Sequence, residues 1–174
     1  MRNALRPDRF GRWLGVRRAF GLAAFACFAL IAFALYLQYA QREDPCALCI
    51  FQRVAVIAMG VVFLIGALHA PRRRGVRAYA ALLVVLGGLG SAIAGRHVWL
   101  QNLPKDRIPE CGPGLEFMLQ QFPFAEVLAL VLRGSGECAA AGWRFLGLTI
   151  PAWTLLWFLG LSALAVVVAA RARR

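Results

Sequence analysis

The stretch "EDPCALCIFQRVAV", residues 43–56, places Cys46 and Cys49 between two acids and the start of a long apolar run. A CxxC pair alone is compatible with a metal site, a structural staple or a redox couple. The choice depends on what the rest of the chain builds around it.

The chain has 174 residues, of which 61% are hydrophobic, and a mean hydropathy of +0.66. Ordinary soluble domains are about half apolar, so there is more apolar surface here than one small core can hide. It is arranged in runs: Ala19 to Tyr39, Val54 to Ala70, Ala78 to Gly95 and Phe145 to Ala170 carry no charge. Crossing about 30 Å of hydrocarbon at about 1.5 Å per residue takes roughly 20 apolar residues. The expected fold is therefore all-α, an integral membrane four-helix bundle in one domain, 1–174. Its spans are expected near 19–39, 50–70, 78–98 and 151–170, with outer loops near 40–49 and 99–150. The second run reaches span length only when extended back toward Cys49, which puts the opening motif at a membrane surface.

The net charge of +12 could suggest nucleic acid, but its distribution argues otherwise. Thirteen arginines against Asp8 lie before span one, between spans two and three, and after span four. The remaining segments hold seven bases and seven acids. Basic loops stay cytoplasmic, so both termini and the 71–77 loop are expected in the cytoplasm, and the two cysteine-bearing loops outside. The first run is longer than a signal-peptide core and lacks a small-x-small cleavage site, so it reads as a retained helix.

Within the second outer loop, "GLEFMLQQFPFAEVLALVLRG", residues 114–134, is too polar to cross lipid cheaply. It reads as a short amphipathic helix lying in the interface. In "VVLGGLGSAIAGRHVW", Gly87, Ser91 and Gly95 recur every four residues and predict a small face for close helix approach. Tyr36, Tyr39, Trp99 and Trp153 fall near outer span ends, where interfacial aromatics gather.

Four of the five cysteines, Cys46, Cys49, Cys111 and Cys138, occupy the two outer loops. Disulfides persist outside the cytosol, so two outward pairs point to disulfide chemistry; Cys27, inside span one, reads as a small buried hydrophobe. Asp44 is the expected N-cap of helix two and Pro45 its first residue, which places both CxxC thiols near the positive helix end. Glu43 and Asp44 oppose that effect. A CxxC ring is short and is little buttressed by chain entropy, which suits a bond made and broken repeatedly. A structural zinc site needs four converging N or S ligands; no second CxxC or HxxxH spacing occurs, and only His69 and His97 are available. No metal is therefore expected. No dinucleotide fingerprint is present, so neither flavin nor nicotinamide is indicated.

Together, "PCALCIFQR", "GRHVWLQNLP" and "GECAAAGWRFLGLTIPAW" resemble the DsbB family of bacterial disulfide bond formation proteins, from about span one to span four. The resemblance implies a membrane thiol:quinone oxidoreductase of the bacterial inner membrane with periplasmic cysteines. It would reoxidise a periplasmic thioredoxin-fold dithiol oxidase, DsbA, with ubiquinone or menaquinone as electron acceptor. It further implies a Cys111–Cys138 pair that meets the partner through Cys111, and a Cys46–Cys49 pair that faces the quinone. Arg53 matches the family arginine that assists quinone binding, and His97 a histidine near the quinone. Gln52 stands where some relatives carry an acid. The rival reading is a membrane scaffold or soft-metal carrier with structural outer cysteines.

Overall fold

A computed structural model describes residues 7–42, 44–69, 71–108, 114–139 and 143–172. Four long helices dominate: α1 (Pro7–Ala40), α2 (Ala47–His69), α3 (Arg73–Gln101) and α7 (Ile150–Arg171). Each contains a stretch long and apolar enough to cross a membrane. Within those stretches only 22% to 33% of residues are buried by protein. The outer faces, with Leu22, Phe25, Val54, Leu68, Val85 and Leu89 well exposed, therefore need a hydrocarbon solvent, as a multi-pass membrane protein has.

The observed helices overrun the expected spans. Helix α3 starts at Arg73 rather than near 78, because nothing in the backbone chemistry of "RRGVR" stops a helix once it leaves the bilayer. Helix α2 begins two residues later than expected. The Cys46 carbonyl accepts the first helical bond, from the Ile50 N–H at 3.1 Å, so Cys46 takes the cap position and Asp44 and Pro45 precede the helix. Helix α7 opens after Thr149 with Pro151 in its first turn, where the missing N–H leaves no bond unmade.

Packing is most extensive between α3 and α7, then between α1 and α2. Phe20, Phe63 and Phe158 are fully buried; Phe63 meets the Phe20 ring edge-on, while Phe20 and Phe158 interlock with glycines. A Cβ on Gly90 would collide with the Phe158 ring, and one on Gly66 with Phe20. The close approach of α3 to α7 therefore runs through Gly87 and Gly90, whereas Gly95 has open space around its Cα. The expected stripe was displaced because the partner supplies a large ring, Phe158, that needs a hollow rather than a flat small face.

The segment expected as one interfacial helix is two, α4 (Leu115–Gln121) and α5 (Phe124–Arg133), broken at Phe122–Pro123. Proline at 123 cannot continue the preceding helix but suits the start of the next. A four-residue turn, α6 (Gly136–Ala139), follows and carries Cys138. Met118, Val127, Val131 and Cys138 pack with Leu48 and Leu100 into a second apolar cluster over the starting end of α2 and the finishing end of α3. Arg96 ties this cap down, donating to the Leu132 and Arg133 carbonyls at 3.1 and 3.0 Å, which the end of α5 would otherwise leave unmet. A small hairpin, β1 (Arg144–Phe145) with β2 (Leu148–Thr149), then leads into α7. Its turn residues Leu146 and Gly147 both have positive φ, the tight two-residue turn that fits strand twist.

At the opposite end of the bundle Arg73 donates to the Ala172 carbonyl at 2.6 Å. The basic 71–77 loop and the basic end of α7 thus meet at one end, and Cys46 and Cys138 at the other.

Candidate active site

Cys46 and Cys49 are separated by one turn at the start of α2, with the Cys46 thiol donating to Cys49 Sγ at 3.2 Å. Cys27, Cys46, Cys49 and Cys138 are all free thiols. Cys138 is brought to the pair by the turn after Gly134: its Sγ, Cys46 Sγ and a ring nitrogen of His97 all lie within 4.8 Å of one another. Cys111 lies outside the described residues, so its pairing with Cys138 is not part of the observed geometry. Glu43 lies outside them too. Cys27 is packed in the bundle core, against Gly60, far along the chain from this chemistry.

His97 is 2% exposed and joins the pieces. Its Nδ1 faces the Gln52 side-chain amide at 3.0 Å; its Nε2 is 3.0 Å from the Cys138 carbonyl and 3.8 Å from Cys46 Sγ. A carbonyl can only accept, so the ring proton belongs on Nε2, and Nδ1 accepts from the Gln52 amide. The imidazole therefore presents an N–H to the sulfur at which a disulfide would open. Gln52, 4% exposed, matches that tautomer by donating to Nδ1. The sequence marked Gln52 only as a departure from an acid; its bond to a histidine on another helix has no local signal.

Cys138 is almost fully buried. The neighbouring Cys46 sulfur first, and burial second, push its thiol well above the usual thiol range; the Ser135 and Leu48 N–H groups pull the other way and lose. Cys138 is therefore held as a neutral thiol aimed at Cys46.

Cys49 opens onto a cavity of about 640 Å³ between α1, α2 and α7. Phe33, Trp143, Phe145, Trp153 and Trp157 supply aromatic walls, and Cys49, Gln52, Arg53 and His97 the polar end. Trp143 and Phe145 stack with centroids 5.8 Å apart, and Trp153 fixes the hairpin by donating to the Phe145 carbonyl at 3.1 Å. Arg53 is held from α1 by Gln38 Oε1 at 2.5 Å and the Ala34 carbonyl at 3.2 Å. No carboxylate pairs with it among the described residues, so its charge is available to the cavity. Arg53 and Cys49 share the helix face that their four-residue spacing required.

Fold and site together define a membrane-spanning thiol redox protein, with three cysteines gathered at one end of a four-helix bundle. The family described as "Disulfide bond formation protein DsbB" matches residues 16–168. Relatives named Disulfide bond formation protein B are 54% identical in Nitrosococcus oceani, over 88% of this chain and 90% of that one, and 50% identical in Hahella chejuensis, over 87% and 92%. A third, from Methylococcus capsulatus, is 48% identical over 87% and 92%. The chain belongs to the DsbB family and is a disulfide-forming redox protein.

Proposed function

We propose that the protein is a thiol:quinone oxidoreductase that reoxidises a periplasmic DsbA-like dithiol oxidase, with its cysteine end on the periplasmic side of the inner membrane and both termini in the cytoplasm. One observation carries this reading: Cys138, from a solvent-side loop, lies against Cys46, whose neighbour Cys49 faces an apolar, aromatic cavity beside Arg53. A flat apolar acceptor fits that cavity, and the arginine and the thiols lie together at its polar end.

The exchange balances as follows. Two thiols of the partner reduce a Cys111–Cys138 disulfide, with Cys111 forming the mixed disulfide. The freed Cys138 attacks Cys46 of the Cys46–Cys49 disulfide, forming Cys46–Cys138 and releasing Cys49 as the leaving thiolate. Cys111 then displaces Cys46, restoring Cys111–Cys138. Phe33, Trp143, Trp153 and Arg53 would hold a ubiquinone or menaquinone in the cavity, and it would supply the two-electron, two-proton acceptor needed for Cys46 and Cys49 to return to a disulfide. Arg53 stabilises negative charge on Cys49, and the His97 Nε2–H steadies charge on Cys46. An acceptor outside the thiol pool is required, because DsbA, near about −120 mV, is too strong an oxidant for ordinary exchange to replenish.

Anaerobic quinone reduction driven by a reduced periplasmic thioredoxin-fold protein tests the proposal. The wild type should turn over and Cys49→Ser should not; full activity in Cys49→Ser refutes the assigned sulfur route. Arg53→Ala should raise the quinone KM more than it disturbs assembly, and an unchanged KM makes Arg53 an anchor only.

A further inference from the structure

Two sulfurs and one imidazole converge at the capped end of the bundle, with a third sulfur beside one of them, from residues too far apart in sequence to form a recognisable ligand motif. Cys46 Sγ, Cys138 Sγ and a His97 ring nitrogen lie within 4.8 Å of one another, and Cys49 Sγ is 3.2 Å from Cys46 Sγ. We propose that the fully reduced protein binds one thiophilic divalent cation, of the Zn2+ or Cd2+ type, through Cys46, Cys49, Cys138 and His97.

The chemistry of the donor set supports this. Tetrahedral zinc takes thiolates at about 2.3 Å and imidazole at about 2.0–2.1 Å, so ligand atoms around one ion stand roughly 3.4–3.8 Å apart. Cys46 is already 3.8 Å from His97 Nε2; Cys138 needs to move by about 1 Å at most, on a short turn that follows a glycine, and Cys49 must turn in from the cavity wall to complete the set. A metal-bound histidine normally donates its other N–H to a nearby acceptor. Here Gln52 faces Nδ1, and rotation of its amide presents the carbonyl in place of the NH2, so the ring can change tautomer and release Nε2 to the ion. On the Cys138 side the shell is dry, because Leu48, Leu100, Val127 and Val131 are buried around it. Arg53 offsets part of the negative charge of three thiolates.

Any disulfide among these cysteines removes two of the sulfurs, so binding is confined to the reduced protein. If the proposed redox cycle holds, the cation competes with the electron acceptor and traps the enzyme in its reduced form.

The test uses full-length protein in lipid nanodiscs, carrying Cys27→Ala and Cys111→Ser, reduced and freed of reductant without oxygen. Titration with Co2+ should give one equivalent of tetrahedral d–d absorption together with thiolate charge-transfer bands. Oxidising the same sample should abolish both, a control that needs no further variant. Cys138→Ser and His97→Ala should each weaken binding by more than the 10- to 100-fold that loss of a supporting partner costs. In the otherwise unaltered protein, Zn2+ should slow alkylation of Cys138. Binding that is unchanged in Cys138→Ser and His97→Ala, or Cys138 alkylation unaffected by Zn2+, overturns the site. With quinone reduction measured on the protein that keeps Cys111, turnover there and no Co2+ uptake in the variant sink this inference alone; Co2+ uptake in the variant and no turnover in the protein that keeps Cys111 sink the redox reading alone.

Discussion

The bundle core and the cap above it are both dry, yet they are held together in different ways. In the core, large rings sit in hollows left by glycines, as Phe158 does at Gly90 and Phe20 at Gly66, and that interlocking sets the register. In the cap the helices are too short to hold themselves in water. They rest on the apolar cluster around Leu48 and Leu100 and are fixed there by a few polar ties from α3: Arg96 to the end of α5 and His97 to the Cys138 carbonyl. Rigid packing suits a scaffold that must survive in lipid. A cap hung on a handful of bonds suits a loop whose cysteine must exchange partners. The division predicts that core and cap can be loosened separately.

The largest effect is expected at Gly134. Its φ of 82° and ψ of 159° form a combination open essentially to glycine alone, with a cost of about 1–3 kcal/mol for other residues. A Cβ there would also strike the fully buried Leu100 side chain, adding an overpacking cost of about 1–3 kcal/mol. Gly134→Ala should detach Cys138 from Cys46. Alkylation of Cys138 in the reduced protein should accelerate at least tenfold while thermal unfolding of the bundle shifts little. A protected Cys138 in that variant would break the distinction between the two regions.

Gly90→Ala is the matching change in the core. Overpacking against Phe158 should cost about 1–3 kcal/mol, and here the outcome reverses: the unfolding midpoint in detergent falls while Cys138 keeps its protection. Equal loosening of both regions would show that the cap is merely an extension of the bundle.

Arg96→Ala comes next. It removes two charge-assisted bonds to the end of α5 and a guanidinium lying 4.2 Å over the Trp99 ring. Solvent reaches this site, so the loss should be about 1 kcal/mol. Hydrogen exchange should rise along α5 and α6 and stay unchanged in α7; uniform exchange across both would deny Arg96 its role as a tie.

What could be read from residues alone follows the same boundary. Lipid imposes uninterrupted apolar runs, so the four long apolar helices were legible in the sequence. CxxC with Arg53 one turn on is a local pattern and was equally visible. The contacts that make a site were not. His97 meets Gln52 and Cys138 across two other elements, and nothing near position 97 encodes that meeting. Gly90 was passed over for Gly95 because spacing shows small residues but not the ring that fills the hollow. Pro123 was the visible sign that α4 and α5 are separate, and it was read only as polarity. The hairpin at 144–149 left a single glycine as its trace.

The gentlest perturbation is pH, which acts on the cap through Cys138. The adjacent Cys46 sulfur and burial raise the Cys138 pKa in the folded protein, so the folded state binds that proton more tightly than the unfolded one does. The sign follows: this contribution to cap stability is fully present below the unfolded thiol value near about 8.5 and is lost as pH rises through the higher folded value. Between about pH 7 and 9, Cys138 alkylation should climb close to tenfold per unit without levelling off, since only the thiolate reacts. Cys46→Ala removes the largest cause of the raised pKa, so its profile should bend toward a plateau at lower pH. Coincident profiles in the two proteins would mean that Cys46 does not hold the Cys138 proton, and that the two sulfurs are neighbours without being coupled.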